Sequence, residues 1–410
     1  MYLGIDIGTS GVRAIAIDGD ERPVAEAAAR FGKEPRDPEN WRATLRRVMA
    51  EILQKVDPAA VSALAIDGTS GTLLAVDEGG RPLAGPIMYN EPVTDTESLA
   101  ALTARGFSTI AQGAPGRAFH LNRIAPVARI VTQADWLSGH FSGRYDISDD
   151  NNTLKTGFDP ESRVWGGAVA ELGLETCLPH RVLAPGTSIG PAEGPLALDL
   201  GLPASVRVVA GTTDGCASFL ASGATEEGDG VTALGSTLTL KLLSAKRIED
   251  PASGVYSHRL LGFWLAGGAS NSGGRVLAQY FSSDEIARLS KAQSALPPTG
   301  LDFYPLPAEG ERFPINDPAL APRLAPRPAE DGMFLKALFE GMAAIEARGY
   351  ARLAELGGPS LARVFTVGGG SVNPLWRDIR TRELGLAPRL PVSTEAAFGT
   401  AKLARMGALA

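Results

Sequence analysis

Tyr2-Leu3-Gly4-Ile5-Asp6-Ile7-Gly8-Thr9-Ser10-Gly11-Val12-Arg13-Ala14-Ile15-Ala16-Ile17-Asp18 opens the chain. Residues 3–6 form a short apolar run that ends on a carboxylate, and residues 12–18 resume a β pattern after a Gly-rich polar tip. Strand, turn, strand reads as a β-hairpin, with a third strand over 22–31. The same device, a strand running into a Gly/Thr/Ser turn, returns at 63–72, 206–214, 231–237 and 363–370. It has no fixed period, which excludes a solenoid. Helical spacing appears between these turns, first in Trp41, Leu45, Val48, Ile52 and Val56, later over 334–356, 374–384 and 396–406. The pattern predicts two α/β halves, each with polar turns at its strand ends, where ligands of such sheets sit. The stretch 223–230, rich in Gly and acids, reads as the hinge. Helices are expected near 94–104, 123–140, 164–173 and 273–281, and a Pro-rich loop over 293–330.

Composition narrows the function classes. The chain has 410 residues, 44% of them hydrophobic, and a net charge of −7. That length suggests two or three domains, and the mildly acidic balance argues against a surface built for nucleic acid or anionic membrane. Two cysteines, Cys177 and Cys216, are too few for a disulfide framework. The four histidines are scattered, without HExxH. The N-terminus lacks the basic start and apolar core of a signal peptide, and no stretch approaches a membrane span. A cytoplasmic protein is the expectation, with no nucleic-acid or membrane partner; monomer and dimer both stay open.

The turns carry the chemistry. Gly8-Thr9-Ser10-Gly11 can cradle phosphate, because glycine lets backbone N–H groups approach closely and the hydroxyls add donors. Asp6 just before it suits a Mg²⁺ that keeps its waters near phosphates. Such a turn serves equally as a hairpin tip capped by its own Asp and Thr. Gly235-Ser236-Thr237 is a second turn of this kind, or else a bend within a strand. Gly368-Gly369-Gly370 before a helix suits a ligand lying against bare backbone, or a flexible connector. Asp214, after Gly211-Thr212-Thr213, can accept a proton from a substrate hydroxyl during phosphoryl transfer, or cap the following helix. Asp67-Gly68-Thr69-Ser70-Gly71-Thr72 can offer hydroxyls to a polar ligand. Asp149-Asp150-Asn151-Asn152 reads as a solvated turn. No GxxxxGK[ST], GxGxxG or GxSxG is present, which counts against P-loop, dinucleotide and serine-hydrolase chemistry.

Taken together and in order, these segments resemble the FGGY carbohydrate kinases. The segments are Asp6-Ile7-Gly8-Thr9-Ser10, Ala65-Ile66-Asp67-Gly68-Thr69-Ser70-Gly71-Thr72, Ala134-Asp135-Trp136-Leu137, Ala210-Gly211-Thr212-Thr213-Asp214, Leu234-Gly235-Ser236-Thr237 and Gly368-Gly369-Gly370 with Asn373 and Trp376. The resemblance spans essentially the whole chain and is closest to the short branch of D-ribulose kinase and xylulose kinase-like proteins. It implies an α/β, two-domain, actin-like (ribonuclease H-like) ATPase fold with an interdomain active-site cleft. Residues 1–221 would be the sugar-binding domain and 222–394 the nucleotide-binding domain, with 395–410 packing back on the first. ATP and Mg²⁺ are the implied cofactors. By the same resemblance Asp214 is the general base, and Asp6 stands by the metal and the phosphates. Thr9 and Ser10 would contact phosphates, and Gly235, Ser236 and Thr237 would form the second phosphate loop. Gly369, Gly370, Asn373 and Trp376 would hold the adenosine, with Trp376 covering the base. Ser70 and Asn90, with Asp6 and Asp214, would face the sugar.

The chain departs from the family pattern in two places near the sugar. Met88-Tyr89-Asn90-Glu91 replaces a Trp/Asp/Arg-containing segment, and Gly215 follows Asp214 where xylulose kinases carry Asn. The expected activity is phosphorylation of a primary hydroxyl of a small ketose, D-ribulose first and D-xylulose second. The competing classes are an actin-like ATPase coupled to a partner, and a sugar sensor without efficient phosphotransfer.

Overall fold

The computed structural model describes residues 1–111, 113–124, 127–293 and 297–410. The chain divides into two compact units, one of Met1–Ala221 with Glu395–Ala410, the other of Ser222–Thr394. No helix among the described residues is long and apolar enough to cross a membrane.

The first unit is built on a six-stranded sheet in the order Ser188–Pro191, Arg207–Thr213, Ala63–Gly68, Tyr2–Ile7, Gly11–Ile17, Pro23–Arg30. The opening hairpin pairs antiparallel, whereas Tyr2–Ile7, Ala63–Gly68 and Arg207–Thr213 run parallel. Ala63–Gly68 is central and buried at every residue, as expected of a strand covered on both faces. Asp37 caps the helix Pro38–Lys55, which buries Trp41, Leu45, Val48 and Ile52 against the sheet. Small residues bring the last helix, Ala396–Leu409, close to the strands. A Cβ on Gly4 would strike the backbone of Ala397 and Ala401, and one on Gly399 would strike Ala217. Ala397, Ala401 and Ala404, on one helical stripe, are fully buried there.

The second unit repeats the plan with five strands in the order Tyr256–Leu260, Phe263–Ser270, Leu238–Ser244, Asp229–Leu234, Arg363–Val367. Here too an antiparallel hairpin, Asp229–Leu234 with Leu238–Ser244, is joined by a parallel strand, Arg363–Val367. The long helix Asp331–Glu355 covers the sheet through Phe334, Leu338, Met342, Ile345 and Leu353.

Several local expectations are corrected. The single helix over 123–140 is a strand, Arg129–Thr132, followed by a helix, Gln133–Ser142, with a separate helix Ala114–Ile124 before them. The β-branched run Ile130-Val131-Thr132 pairs with Leu73–Val76, and that pairing overrides the helical spacing. Residues 125–126 lie outside the described residues. The helix over 273–281 is confined to Gly274–Leu277. The Pro-rich loop, of which 294–296 lie outside the described residues, has no named helix or strand over 297–330, yet it feeds Phe303, Tyr304, Leu306 and Phe313 into the core. Residues 149–152 are not a solvated turn. They end the strand Ile147–Asp149 and begin the helix Asp150–Leu154, and all four are buried.

Candidate active site

Strand register assembles the acidic end of the first unit. Asp6 stands opposite Asp67 in the parallel pair, and Thr212 stands opposite Asp67 on its other side. The register shifts between Val209 and Thr212, and Gly211 makes that bulge possible because a Cβ there would strike Ile66 O. Two residues on, Asp214 opens the helix Asp214–Ser222, half-buried, its Oδ1 accepting from Gly215 N at 2.7 Å.

Sequence reasoning used the turn at 67–72 for its hydroxyls and did not name Asp67 itself as a site residue, although it ends its strand before a Gly/Thr/Ser turn as Asp6 does. The structure buries it completely. Thr400, on the last helix, donates its hydroxyl to Asp67 Oδ2, while Oδ1 finds no ordinary donor. Burial and the neighbouring charges of Asp6 and Asp214 hold the Asp67 carboxyl well above the usual carboxylate range. Asp6 is also raised, first by burial and further by Asp214, and is pulled back by a hydrogen bond from Asp67 and by Arg13. Burial and like charge thus favour a proton held by the Asp6–Asp67 pair over two carboxylates side by side.

Thr9 and Ser10 are exposed at the hairpin tip, closed by Gly8 N donating to Gly11 O at 3.0 Å and anchored by Phe31 N on Ser10 O at 2.9 Å. Ser70 lies on the turn after Ala63–Gly68, and its hydroxyl is buried without a partner. Thr72 ties that turn to the segment bearing Asn90, since Thr72 Oγ1 accepts from Tyr89 N at 3.3 Å. Asn90 itself is exposed. Two further polar groups close on this turn and were not foreseen. Arg117, buried, donates to Glu91 O at 3.2 Å, and a Cβ on Gly71 would lie 3.2 Å from its guanidinium. Gln133, also buried, accepts from Thr69 Oγ1 at 3.1 Å, and its Nε2 has no partner. An isolated Arg or Gln in a helix gives no sequence signal of this kind.

In the second unit Gly235 and Ser236 are exposed between Asp229–Leu234 and Leu238–Ser244, with Thr237 half-buried. Gly235 N donates to Thr237 O at 3.1 Å, and Gly274 N and Arg275 N donate to the carbonyls of Gly235 and Ser236 at 2.8 and 3.1 Å. The turn is thus held from behind while its face stays open. Gly368, at φ 84°, turns the chain after Arg363–Val367, and a Cβ on Gly369 would meet nothing within 4 Å. Asn373 caps the helix Pro374–Leu384 through Trp376 N at 3.1 Å and donates to Ser290 Oγ at 2.8 Å, so its amide already has structural work. Trp376 is corrected. It is fully buried, 5.5 Å from Phe339 between ring centroids, in the second unit's core. Its position one helical turn inside the cap points it inward, so its face is not available to a base.

The donor set bears on a metal. Among the described residues no group of three or more His, Cys, Asp or Glu side chains could hold an ion unaided. A Mg²⁺ bound by one or two carboxylates and by substrate phosphates needs no such cage, and Asp6 supplies a partly exposed hard oxygen.

Comparison with known proteins agrees with these features. Residues 1–105 match the N-terminal domain of the FGGY family of carbohydrate kinases, and residues 230–408 match its C-terminal domain. The autoinducer-2 kinase of Yersinia enterocolitica is 25% identical, over 99% of this chain and 86% of that one. The structure of a xylulose kinase from Brucella ovis superposes with a TM-score of 0.85 at 26% identity, covering 100% of this chain and 90% of that one. A xylulose kinase from Rhodospirillum rubrum shares the fold, with a TM-score of 0.83 at 22% identity over 98% and 88% of the two chains. The fold and its matches define an ATP-dependent carbohydrate kinase of the two-domain, actin-like ATPase type. The chain belongs to the FGGY family.

Proposed function

We propose that this kinase transfers the γ-phosphoryl group of ATP to a primary hydroxyl of a small ketose, D-ribulose first and D-xylulose second, with Asp214 as general base. The observation that supports the reading most is the register that sets Asp6, Asp67 and Thr212 side by side, with Asp214 half-buried on the same strand end. In the step, Asp214 takes the hydroxyl proton as the sugar oxygen bonds to the γ-phosphorus. The bond from that phosphorus to the β–γ bridging oxygen breaks, and ADP leaves with its electron pair. Most of the acceleration comes from positioning and charge neutralisation. Asp6 holds Mg²⁺, which when bound offsets phosphate charge. Thr9 and Ser10, with the Gly235-Ser236-Thr237 turn, supply donors to the phosphates, and the open face at Gly369 and Gly370 receives the adenosine. Ser70 and Asn90 face the sugar, with Arg117 and Gln133 bracing the turn behind them.

The relatives named above act on autoinducer-2 and on xylulose, so the panel must be wider than one sugar. ADP release with Mg²⁺-ATP is measured with D- and L-ketopentoses, pentitols, glycerol, autoinducer-2 and a blank. Strong stimulation by D-ribulose supports the proposal. Stimulation by another compound alone reassigns the substrate, and equal release with every compound and with the blank removes phosphotransfer to a sugar.

A further inference from the structure

The segment misread as a solvated turn lies against the strand that leads into Asp214. The helix Asp150–Leu154 packs against the strand Arg207–Thr213, and its first polar residues reach one residue of that strand. Asn151 Nδ2 donates to Thr212 Oγ1 at 2.9 Å, and Asn152 Nδ2 donates to Thr212 O at 3.3 Å. Thr212 is therefore held at its side chain and at its carbonyl, two residues before Asp214. Asn151, Asn152 and Thr212 are all buried.

The start of this helix and the Asn152 carboxamide are themselves fixed. Asp149 caps the short helix, its Oδ1 accepting from Asn151 N and Asn152 N at 2.9 and 3.1 Å. Its Oδ2 accepts from Asn152 Nδ2 at 2.6 Å. Asn152 thus places both amide protons on acceptors, Asp149 and Thr212, and leaves Oδ1 without a partner. A flipped amide would set its oxygen against a carboxylate and a carbonyl, so the orientation is determined. A buried acceptor without a donor is destabilising, and an apolar filling would avoid that cost. What the polar arrangement gains is a defined peptide orientation where the strand bulges at Gly211 and becomes a helix at Asp214.

We infer that Asn151 and Asn152 are positioning residues: through Thr212 they set the turn that aims the Asp214 carboxylate. The inference rests on the reading of Asp214 as general base and adds the clamp behind it. Misplacing a reacting group by about 1 Å can cost roughly 100-fold in rate.

Thr212→Val keeps the shape of the side chain and removes the acceptor. With Mg²⁺-ATP and D-ribulose, or the panel sugar that the wild type phosphorylates, kcat should fall at least ~10-fold while KM for ATP stays within about two-fold. Thr212→Ser should restore turnover. Asn151→Ala should give the same loss from the other partner, and the double variant should lose little more than either alone. In an Asp214→Asn background Thr212→Val should change the residual rate by less than about two-fold. A crystal structure of Thr212→Val should show the Asp214 carboxylate displaced. Wild-type kcat in Thr212→Val and Asn151→Ala, or a loss that Thr212→Ser does not rescue, overturns the clamp. If Asp214→Asn keeps full turnover, or no panel sugar is phosphorylated, the functional reading fails separately. The clamp is then judged by the Asp214 position in that crystal structure, and an unmoved carboxylate overturns it.

Discussion

Replacing Arg380 with Met removes the cation from a fully buried pair. Arg380 Nε and Nη2 each donate to Glu346 at 2.6 Å, and the two side chains are 1% and 0% exposed. Arg380 also donates to Thr366 Oγ1 and lies over the Trp376 ring at 5.4 Å. Without the guanidinium, Glu346 keeps only the Thr232 hydroxyl as a hydrogen-bonded partner among the described residues. Removing one partner of such a pair costs about 3–5 kcal/mol, because it leaves an uncompensated buried charge. At about 4 kcal/mol the unfolding equilibrium of the second unit shifts by roughly 10³. Removing both charges in Glu346→Leu/Arg380→Met avoids the stranded charge, and that variant should lie within ~2 kcal/mol of the wild type. Because the chain has two units, the assay is amide exchange in the strands Asp229–Leu234 and Arg363–Val367, which report the second unit directly. Thr366 lies on the strand that runs into the Gly368 turn, so ATP affinity should weaken with the single variant and recover partly in the double. A loss under ~1 kcal/mol in Arg380→Met, or an equal loss in both variants, refutes the reasoning.

Trp376→Phe should cost ~1–2 kcal/mol of stability by leaving a core void, while ATP affinity by calorimetry stays within about three-fold, since the ring does not face a ligand. Burial raises the Asp135 carboxyl from 3.8 to about 6 against the hydrogen bonds from Ser148 and Thr132. The folded state then binds the extra proton, so this contribution is complete below about pH 4 and is lost as pH rises to about 6, up to roughly 3 kcal/mol. Asp135→Asn should flatten that part of the urea-midpoint profile and be no less stable than wild type at pH 7.5; a variant clearly weaker there would show that the ionised form is the stabilising one. Gly211→Val should remove the bulge, because its Cβ would strike Ile66 O, and should lower both the thermal midpoint and turnover; wild-type behaviour in both would show that the bulge is dispensable.

What was legible in the sequence follows from how each signal arises. Strand ends that run into Gly, Thr and Ser mark themselves, because an apolar run and a Gly-rich turn are both local. Arg363–Val367 and Pro374–Leu384 fall where the pattern puts them. Trp41, Leu45, Val48 and Ile52 are buried because a stripe of that spacing must face a sheet. Polar residues do not announce whether they are solvated. Asp149-Asp150-Asn151-Asn152 has the composition of a turn, and partners distant in sequence, Thr212 for the two asparagines and Arg163 for Asp150, satisfy it once buried. Asp67 is hidden for the converse reason, being a carboxylate whose partners, Asp6 and Thr400, are far away in sequence. Trp376 was assigned to the adenosine by family resemblance alone, whereas the Asn373 cap and the helix phase turn it toward Phe339.

The central claim is that Asp214 removes the proton from the sugar hydroxyl. Phosphoryl transfer from Mg²⁺-ATP to the preferred ketose, compared between wild type and Asp214→Asn with nucleotide affinity measured on the same samples, tests it most directly. Turnover should fall at least ~10²-fold, the scale of lost general-base catalysis, with nucleotide affinity unchanged. Full turnover in Asp214→Asn, or a loss accounted for by failed nucleotide binding, would contradict the claim.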